Sequence, residues 1–540
     1  MLKGKKLLAL ALAALLVLAC GCAQNNRSVS TPPSGELSGT LVILHTNDIH
    51  GQALEDVSSG AIGYAALSQL KKSLQELGAS VLLLDAGDAS QGTPLVNLGF
   101  GKSAFEFMNL AGYDAMAPGN HEFDWGSDNL LQNASTAEFP LLAANIVRRT
   151  GRDLVFEANK IFTMPNGMKV GVFGLATPET LTKSHPDKIR DIDFLMGEDL
   201  YECAQAQIDE LKAAGATFII CLGHLGVDAE SQPNRSSDVV QNTTGINLFI
   251  DGHSHTKMEE PDIIGDTAIV STGYAFKSIG LVTYNGEALN ARLYTGKDAL
   301  VAEHIAAANG AVNEQLGEVF ATCETDLNGE RDPGVRTMET NLGNLAADSI
   351  LWGAQQEVGP QVVAAVTNGG GIRATIKAGD ITMNDMKTVF PFDNKVAVLT
   401  VTGSELLEAL EAATCTTPAA IGAFPQVAGI VFSIDTSTEY ANGEAYPEST
   451  YFGPAQPGSR VTIESVGGEP FDLNKEYVIA SNDFTAAGGD TYYAFRYAYT
   501  TTGYETGLSL EDAMVGYIAE VLGGVVGSEY SGPQGRITIK

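Results

Sequence analysis

The sequence predicts an α/β fold in its first half and an α+β fold in its second half. Short apolar runs such as 41–44 and 81–84 are each followed by a polar loop and then by a helical pattern, which is typical of a sheet with helices on its faces. With 540 residues the chain is too long for a single hydrophobic core. Residues 298–325 lack strand-like runs and indicate a connecting helix. We therefore expect two domains, at 40–297 and 326–540.

The first 22 residues predict export from the cell. Three lysines precede an apolar run at 7–19, which is too short to span a bilayer and has the pattern of a signal peptide. The run ends in a sequence that resembles a bacterial lipobox, with Cys20 as the predicted lipidated residue and Cys22 as the second candidate. Residues 23–39 indicate a flexible tether. We expect a secreted protein, lipid-anchored on the extracellular or periplasmic face; a plain secretion signal is the alternative.

The charge balance excludes some classes of partner. The chain has 65 acidic and 32 basic residues, a net charge of −33, so its surface repels nucleic acid polymers and anionic lipid head groups. A small anionic ligand would therefore need metal ions or a few arginines placed locally. The four cysteines after the signal peptide are widely spaced without Cys-x-x-Cys, which predicts neither a zinc knuckle nor a disulfide framework. No later apolar segment reaches roughly 18 residues, so no transmembrane helix is predicted.

The elements of the first half follow one another in a regular order. Strands are predicted at 41–44, 81–84, 169–175, 217–222 and 247–250, and helices at 62–77, 103–110 and 200–214. Gly78 and Gly215 stand where the first and last of these helices should stop. Polar residues follow the strands directly. Because open α/β sheets place their sites at the carboxyl ends of their strands, we expect these residues to lie together.

The polar segments that follow the strands contain residues that can bind metal ions or act on a substrate. They are Asp48, His50, Asp88, Asn120, His121, Asp124, His224, His253 and His255. Five of the chain's eight histidines belong to this set. Imidazole and carboxylate ligands without a thiolate suit two divalent cations such as zinc, manganese or cobalt. One carboxylate should bridge the two cations, and Asp88 is the best candidate.

Five blocks carry a specific resemblance. They are Thr-Asn-Asp-Ile-His-Gly51, Asp-Ala-Gly-Asp88, Gly-Asn-His-Glu-Phe-Asp124, Gly-His224 and Gly-His-Ser-His255. Together they resemble the calcineurin-type metallophosphoesterase domain of the 5′-nucleotidase family, over roughly 40–283, which implies an α/β/β/α layered domain. The resemblance implies one metal ion on Asp48, His50 and Asp88, completed by His255. It implies a second ion on Asp88, Asn120, His224 and His253. Family members vary at the position of His255, which leaves the identity of the metal open.

The resemblance also implies a catalytic dyad. Two metal ions would neutralise phosphate oxygens and activate a water molecule. His121, paired with Asp124, would stabilise charge that builds on the phosphoryl group or on the leaving oxygen. Asp85 is expected to be structural or to support a ligand. Glu122 is expected to face solvent or to support a ligand.

The second half shows the same strand and helix signals in a different order. Strands are predicted at 362–366, 396–401 and 477–480, and a helix at 404–413. Another helix should begin at Thr340 or Asn341, with one of them as its cap. Ser509 with Asp512 predicts a capping box for a last helix.

Blocks around these elements resemble the carboxyl-terminal nucleotide-recognition domain of the same family, over about 326–540. The resemblance implies that Arg336, Asn368 and Arg373 hold the phosphate or sugar end of a nucleotide. It implies that Phe392 and Phe484 sandwich the base and that Asp490 binds the ribose hydroxyls. Arginine offers forked donors to phosphate oxygens, and aromatic faces stack on any base. The Gly-rich turn 369–371 lacks the spacing and the lysine of a P-loop.

The leading functional interpretation is a phosphohydrolase that releases phosphate from nucleoside 5′-monophosphates, with UDP-sugar hydrolysis as a further activity. The first alternative is a 2′,3′-cyclic-nucleotide 2′-phosphodiesterase with 3′-nucleotidase activity, although such relatives tend to stack the base on Tyr. The second is a nucleotide-binding lipoprotein without catalysis. We expect the substrate between the two domains, which would rotate about the linker near 298–319 to present it to the metals. The sequence leaves the oligomeric state open.

Overall fold

The computed structural model describes residues 37–56, 59–295 and 316–540. The predicted signal peptide, the predicted lipidation site Cys20 and most of the predicted tether lie outside these residues. The same holds for 298–315 of the predicted linker helix. Among the described residues, no helix combines the length and the apolar character that a membrane span requires.

The amino-terminal region, 37–295, contains thirteen described strands and seven described α-helices. The strands are β1 Leu41–Thr46, β2 Ser80–Asp85, β3 Ala115–Met116, β4 Ile146–Arg148, β5 Asn159–Thr163, β6 Lys169–Ala176, β7 Ile192–Phe194, β8 Phe218–His224, β9 Leu248–Ile250, β10 Asp262–Ile264, β11 Thr267–Val270, β12 Ile279–Tyr284 and β13 Leu289–Tyr294. The helices are α1 Gly63–Glu76, α2 Pro94–Asn97, α3 Lys102–Ala111, α4 Ser127–Ala134, α5 Thr180–Lys183, α6 Glu198–Ala213 and α7 Ser236–Asn242.

Two stacked sheets form the centre of this region. Their strand orders are β13-β12-β1-β2-β3 and β10-β11-β9-β8-β6-β5. Because side chains alternate along a strand, Leu41 and Ile43 of β1 pack into the core between the sheets, while Val42 and Leu44 pack on the side of α1. Helix α6 covers the outer face of the second sheet through a separate core. This is the expected α/β/β/α order of layers, so the predicted fold class is confirmed.

The carboxyl-terminal region, 316–540, contains the remaining described elements. Its strands are β14 Val319–Cys323, β15 Val362–Asn368, β16 Gly379–Thr382, β17 Lys395–Thr402, β18 Pro425–Ala428, β19 Ile430–Ile434, β20 Asn442–Ala445, β21 Phe452–Pro454, β22 Val461–Val466, β23 Glu469–Pro470, β24 Glu476–Asn482, β25 Tyr504–Ser509, β26 Val525–Val526 and β27 Ile537–Ile539. Its helices are α8 Asn341–Glu357, α9 Met383–Val389, α10 Gly403–Ala413, α11 Asp483–Ala486, α12 Tyr493–Thr502 and α13 Leu510–Glu520.

A five-stranded sheet of order β18-β15-β24-β17-β25 organises this region. Helices α8 and α13 pack on one face of the sheet, and α10 and α12 pack on the other. Strand β24 shows the alternation, since Tyr477 and Ile479 belong to one core and Ala480 to the other. Thr340 caps α8 by accepting a hydrogen bond from the backbone of Gly343, as its position predicted. The arrangement is the expected α+β fold.

The prediction of a connecting helix over 298–325 is wrong for its last part. Residues Val319–Cys323 form β14, which pairs antiparallel with β16 and parallel with β26. Ala321 and Cys323 are buried while Thr322 between them is exposed, which is the period of a strand. The run is only five residues long and follows an Ala-rich stretch, so its partners far along the chain decide its structure.

Candidate active site

The carboxyl ends of the parallel strands deliver the predicted metal ligands to one place. Asp48 and His50 follow β1, Asp88 follows β2 and Asn120 follows β3. His224 is the last residue of β8, and the loop after β9 carries the remaining two histidines. Backbone hydrogen bonds tie the first two loops together, because the Asp48 N–H donates to Gly87 O at 2.9 Å and the His50 N–H to Asp88 O at 2.9 Å.

The ligand atoms form two overlapping groups. Asp48, His50 and His255 offer atoms that all lie within 4.8 Å of one another, and so do Asp48, Asp88 and His224. The Nε2 atoms of His50 and His255 are 3.1 Å apart. Asp88 Oδ2 lies 3.8 Å from His50 Nε2 and 3.2 Å from His224 Nε2, so this carboxylate reaches both groups, as a bridging ligand must. The individual metal-binding roles remain predictions.

The remaining two predicted ligands adjoin the second group. His253 Nδ1 lies 2.9 Å from Asn120 Oδ1, so the two atoms point at a common position. The backbone N–H of His253 donates to both oxygens of Asp48, at 3.1 and 3.2 Å. All seven residues that the sequence singled out as ligands therefore lie in one cluster.

The backbone of this cluster is held in unusual conformations. Five of the seven predicted ligands have a positive φ, namely Asp48 at 49°, His50 at 49°, Asp88 at 59°, His253 at 77° and His255 at 56°. Side-chain-bearing residues rarely adopt this region, and its occurrence is concentrated at functional sites. Gly119 has no room for a side chain, because a Cβ there would lie 2.2 Å from Asp88 Oδ1. The fold thus accepts local strain to bring these side chains together.

Burial and mutual charge dominate the electrostatics of the cluster. Asp48 and Asp88 are 0% and 1% exposed. Burial, reinforced by Asp88, raises the pKa of Asp48 to about 6, and burial lowers the pKa of His50 to about 3. Burial also opposes the charged form of His224, but the Asp88 and Asp48 carboxylates outweigh it and raise the pKa of His224 to about 10. His224 Nε2 is a buried atom whose contact with Asp88, at 3.2 Å, lacks hydrogen-bond geometry. Buried carboxylate oxygens and imidazole nitrogens grouped in this way fit divalent cations.

A second layer of residues orients the imidazoles, and sequence reasoning missed its main member. Glu179 is fully buried, and its Oε2 lies 3.1 Å from His253 Nε2, which leaves Nδ1 of that ring for a metal ion. Burial works against ionisation of Glu179, but His253 outweighs it and lowers the pKa to about 2. Ala86 O likewise lies 2.6 Å from His224 Nδ1. Such partners fix ring orientation and strengthen metal binding. The place of Glu179 just after β6, a strand parallel to β8, was the available signal.

The structure decides between the two alternatives predicted for Glu122. It is 1% exposed, so it does not face solvent and instead supports the loop of a predicted ligand. Its carboxylate accepts hydrogen bonds from the backbone N–H groups of Asp88, Ala89, Ser90 and Gly119, at 2.7–3.0 Å. Glu122 therefore holds the loops after β2 and β3 in place. Asp85 is structural as expected, since it accepts hydrogen bonds from Thr46 Oγ1 and the Gly87 N–H.

The predicted dyad is assembled at the edge of the cluster. His121 Nδ1 lies 2.8 Å from Asp124 Oδ2, and the His121 N–H donates to Asp88 Oδ1 at 2.9 Å. Because an ionised carboxylate only accepts, Nδ1 carries a proton and Nε2 is left for another group. The His121 ring stacks on Phe392 of the carboxyl-terminal region, with centroids 5.4 Å apart and planes inclined by 20°.

A cavity that is partly open to solvent lies between the two regions. The amino-terminal side contributes the two dyad residues and four of the predicted ligands, Asp88, Asn120, His253 and His255. The six predicted substrate residues line the other side: Arg336, Asn368, Arg373, Phe392, Phe484 and Asp490. The cavity is also lined by residues that sequence reasoning missed, including Lys183, Lys188, Arg331 and Asn394. The structure therefore brings the predicted substrate residues, the dyad and four predicted ligands to one cleft, and the other three ligands belong to the adjoining cluster. The substrate-binding roles remain predictions.

Two arginines in the cavity lack the partners that buried cations normally have. In the described part of the chain, no carboxylate lies within 4.0 Å of the guanidinium of Arg336 or Arg373. Burial lowers the pKa of Arg336 to about 9 and also lowers the pKa of Arg373. Arg331 differs, because it pairs with Asp228 at 3.0 Å. Partly buried guanidiniums without counter-charges are suited to an anion such as phosphate.

Comparison with known proteins gives consistent matches. The family described as calcineurin-like phosphoesterase matches residues 41–257, and the 5′-nucleotidase C-terminal domain matches 319–497. The 5′-nucleotidase of Vibrio vulnificus strain CMCP6 is 31% identical over 89% of this chain and 90% of its own length. The trifunctional nucleotide phosphoesterase protein YfkN of Bacillus subtilis strain 168 is 31% identical over 84% of this chain, which spans only 32% of that protein. The crystal structure of a 5′-nucleotidase precursor from Thermus thermophilus superimposes with a TM-score of 0.77 at 29% identity, covering 93% of this chain and 99% of that one.

Proposed function

Because the chain belongs to the 5′-nucleotidase family of metal-dependent phosphoester hydrolases, we propose that it releases phosphate from nucleoside 5′-monophosphates at a two-metal centre. One observation carries the proposal. A single cavity adjoins the Asp/His cluster and contains two phenylalanines and the guanidiniums of Arg336 and Arg373, which have no carboxylate partner among the described residues. A ligand that satisfies all of them needs a phosphate, which the arginines and metals attract, and a flat apolar base.

The metal cluster and the residues behind it prepare the reacting end of the substrate. Bound divalent cations would supply positive charge to the phosphate oxygens and an activated water. Asp88 is the ligand that lies within reach of both groups of donors. Glu179 holds the ring of His253, and Glu122 holds the loop of Asp88, so both ligands are oriented before any substrate arrives.

His121 acts on the substrate directly in this proposal. Asp124 fixes its ring through Nδ1, and in the doubly protonated imidazolium form Nε2 can donate a proton or a hydrogen bond. The recipient is an oxygen of the phosphoryl group or the leaving 5′-oxygen, where negative charge grows during hydrolysis. The hydrogen bond from the backbone N–H of His121 to the Asp88 carboxylate fixes the position of the dyad relative to the predicted metal ligands.

The carboxyl-terminal side recognises the nucleoside. Phe484 and Phe392 would stack on the base, and Asp490 would accept hydrogen bonds from the ribose. Asp490 Oδ2 is held by Asn368 Nδ2 at 2.9 Å, which directs its carboxylate toward the cavity. Stacking is tolerant of the base, so we propose a broad preference among nucleotides. Rotation of the two regions about the linker is proposed as the route by which substrate enters the cleft.

We propose export and lipid anchoring through Cys20 from the lipobox-like sequence alone. The direct test is metabolic labelling of the full chain with a fatty acid analogue. Incorporation into the wild type and its loss in Cys20→Ala would support the anchor. Loss in Cys22→Ala instead would move the anchor to Cys22, and no incorporation would leave a secretion signal only.

A side-by-side assay tests the proposed activity. Phosphate release would be measured from AMP, 3′-AMP, 2′,3′-cyclic AMP and a UDP-sugar, with Mn²⁺ or Co²⁺ and again after EDTA. We expect AMP to be the best substrate and EDTA to remove the activity. Preference for the cyclic and 3′ compounds would instead identify a cyclic-nucleotide phosphodiesterase. Nucleotide binding without turnover in the metal-loaded protein would identify a binding lipoprotein.

A further inference from the structure

Lys183 is a buried cation that the chemistry described so far does not use. It ends α5 in the amino-terminal region and extends to the cavity, where its side chain is 12% exposed. Its Nζ lies 3.7 Å from Glu230 Oε1 and 3.9 Å from Glu179 Oε2, both of its own region. The nearest carboxylate oxygen comes from the other region, since Asp490 Oδ1 is 3.4 Å away. Lys183 therefore faces the residue proposed to bind the ribose.

The ammonium group of Lys183 has N–H groups that are available to donate hydrogen bonds. Charged N–H···O⁻ hydrogen bonds are normally about 2.7–2.9 Å long, and all three of its carboxylate distances are longer. No hydrogen bond from Nζ is formed within the part of the chain that the structure covers. Burial works against the charge, but Glu230, Asp490 and Glu179 outweigh it and raise the pKa of Lys183 well above its usual value. A fixed charge with unused donors thus borders the cavity.

A small space lies beside the pair formed by this ammonium group and Asp490. Gly422 borders the space, and a Cβ at that glycine would lie 3.5 Å from Lys183 Nζ and 3.5 Å from both carboxylate oxygens of Asp490. The segment is fixed, because the Gly370 N–H donates to Gly422 O at 2.7 Å. The missing side chain of Gly422 therefore leaves room for about one heavy atom that can contact both a hydrogen-bond donor and an acceptor.

We propose that Lys183, Asp490 and Gly422 form a pocket for one ribose hydroxyl, which makes the protein select ribonucleotides over deoxyribonucleotides. The inference rests on the proposed function for the placement of the ribose at Asp490. A hydroxyl can donate to the carboxylate and accept from the ammonium group at once. A deoxyribose fills the same pocket with a hydrogen, so the ammonium group and the carboxylate lose the hydrogen bonds that the hydroxyl would form with them. Lys183 comes from the metal-bearing region, so the pocket is complete only when the two regions are together.

Nucleoside binding tests the pocket without relying on hydrolysis. Adenosine, 2′-deoxyadenosine and 3′-deoxyadenosine would be titrated calorimetrically into the full chain with Mn²⁺. We expect the wild type to bind adenosine about 10- to 100-fold more tightly than the deoxynucleoside that lacks the hydroxyl held in the pocket. This is the range of affinity lost with a hydrogen bond to a charged group. Lys183→Met should bring that ratio to about 1 by weakening adenosine alone. Gly422→Ala should act in the same direction without removing a charge, because its methyl group occupies the pocket.

Controls separate the pocket from a general structural role. Lys71→Met removes another partly buried lysine, paired with Asp114 at 2.8 Å away from the cavity, and should leave the binding ratio unchanged. Equal weakening of all three nucleosides by Lys183→Met would overturn the inference, since it would show that Lys183 only holds the two regions together. If Lys183→Met does not fold, Gly422→Ala decides the question alone.

The same preparations separate this inference from the proposed function. AMP hydrolysis by a wild type that binds all three nucleosides equally, or binds none, would overturn the pocket and leave the phosphohydrolase standing. A preference for adenosine without AMP hydrolysis would retain the pocket and overturn the proposed activity.

Discussion

The loops that carry the predicted metal ligands and the loops that carry the predicted substrate residues meet in one cleft but differ in their internal contacts. The first set is tied together by backbone hydrogen bonds such as that from Asp48 to Gly87, and Glu122 accepts a hydrogen bond from the backbone of Asp88. On the other side of the cleft, the guanidiniums of Arg336 and Arg373 have no ion-pair partner among the described residues. The first half is therefore fixed by contacts within the protein, whereas the second half has charged groups without a carboxylate partner.

The largest effect is expected from removing Asp88, the carboxylate predicted to bridge the two metal ions. Asp88→Ala should abolish phosphate release and reduce bound metal, because this carboxylate reaches both groups of donors. Metal content by atomic emission and hydrolysis of AMP would be measured together. Asp128→Ala, at an exposed position in α4, serves as the control and should change neither. Full metal content in an inactive Asp88→Ala would remove the bridging role.

Replacing His121 of the predicted dyad should reduce turnover without reducing the amount of bound metal. His121→Ala should lower kcat by about 10²–10⁴, the usual range for a general acid–base group, with the metal content unchanged. The reason is that His121 Nδ1 is occupied by Asp124, while the metal donors are other residues. Loss of metal in this variant would make His121 a ligand and contradict the assignment.

The residue behind His253 should affect metal affinity more than chemistry. Glu179→Gln should weaken the binding of one metal ion by about 10- to 100-fold, the range for partners that orient ligands. Titration of the metal-free protein with Mn²⁺ measures this directly. Glu198→Gln removes an exposed carboxylate in the first turn of α6 and should leave metal affinity unchanged. Equal metal affinities for wild type and Glu179→Gln would show that the ring of His253 is held by other contacts.

Replacing Arg373, on the other side of the cleft, should mainly weaken the affinity for the substrate. Arg373→Met should lower kcat/KM for AMP about 10- to 100-fold, mainly through KM, because the lost donors bind the substrate phosphate. Arg190→Met, an exposed residue that pairs with Asp187, should have no effect. A fall in kcat with KM unchanged would instead assign Arg373 to the transition state.

The smallest expected effect concerns the pH dependence of stability in the substrate-binding half. Burial raises the pKa of Asp483, next to Phe484, from its usual 3.8 to about 6. A carboxyl whose folded pKa is raised contributes stability below about pH 3.8 that is lost as the pH rises through about 6. Asp483→Asn should flatten the Tm profile over this window, measured by thermal denaturation at several pH values. A profile identical to wild type would show that Asp483 has no shift.

Much of the active site was predictable because its residues follow a local rule. Apolar runs end where polar ligands begin, so Asp48, Asp88 and His224 could be assigned to strand ends from the sequence. The sequence left the role of Glu122 open between two alternatives, because its partners are backbone N–H groups of a loop more than thirty residues away. Strand β14 was missed because its partners β16 and β26 lie far along the chain.

The sequence by itself determined most of the strands and helices and the polar residues that follow the strands. These features depend on the periodicity of side chains within one element and on the residues that terminate it. The order of the layers and the stacking roles of Phe392 and Phe484 were implied by the resemblance to the family. Only the tertiary structure decided that Glu179 supports His253, that Arg336 and Arg373 stay unpaired among the described residues, and that Lys183 faces Asp490 across the cleft. The physical reason is that each depends on distances between side chains from separate loops, which the packing of the sheets and of the two regions sets and which no local pattern encodes.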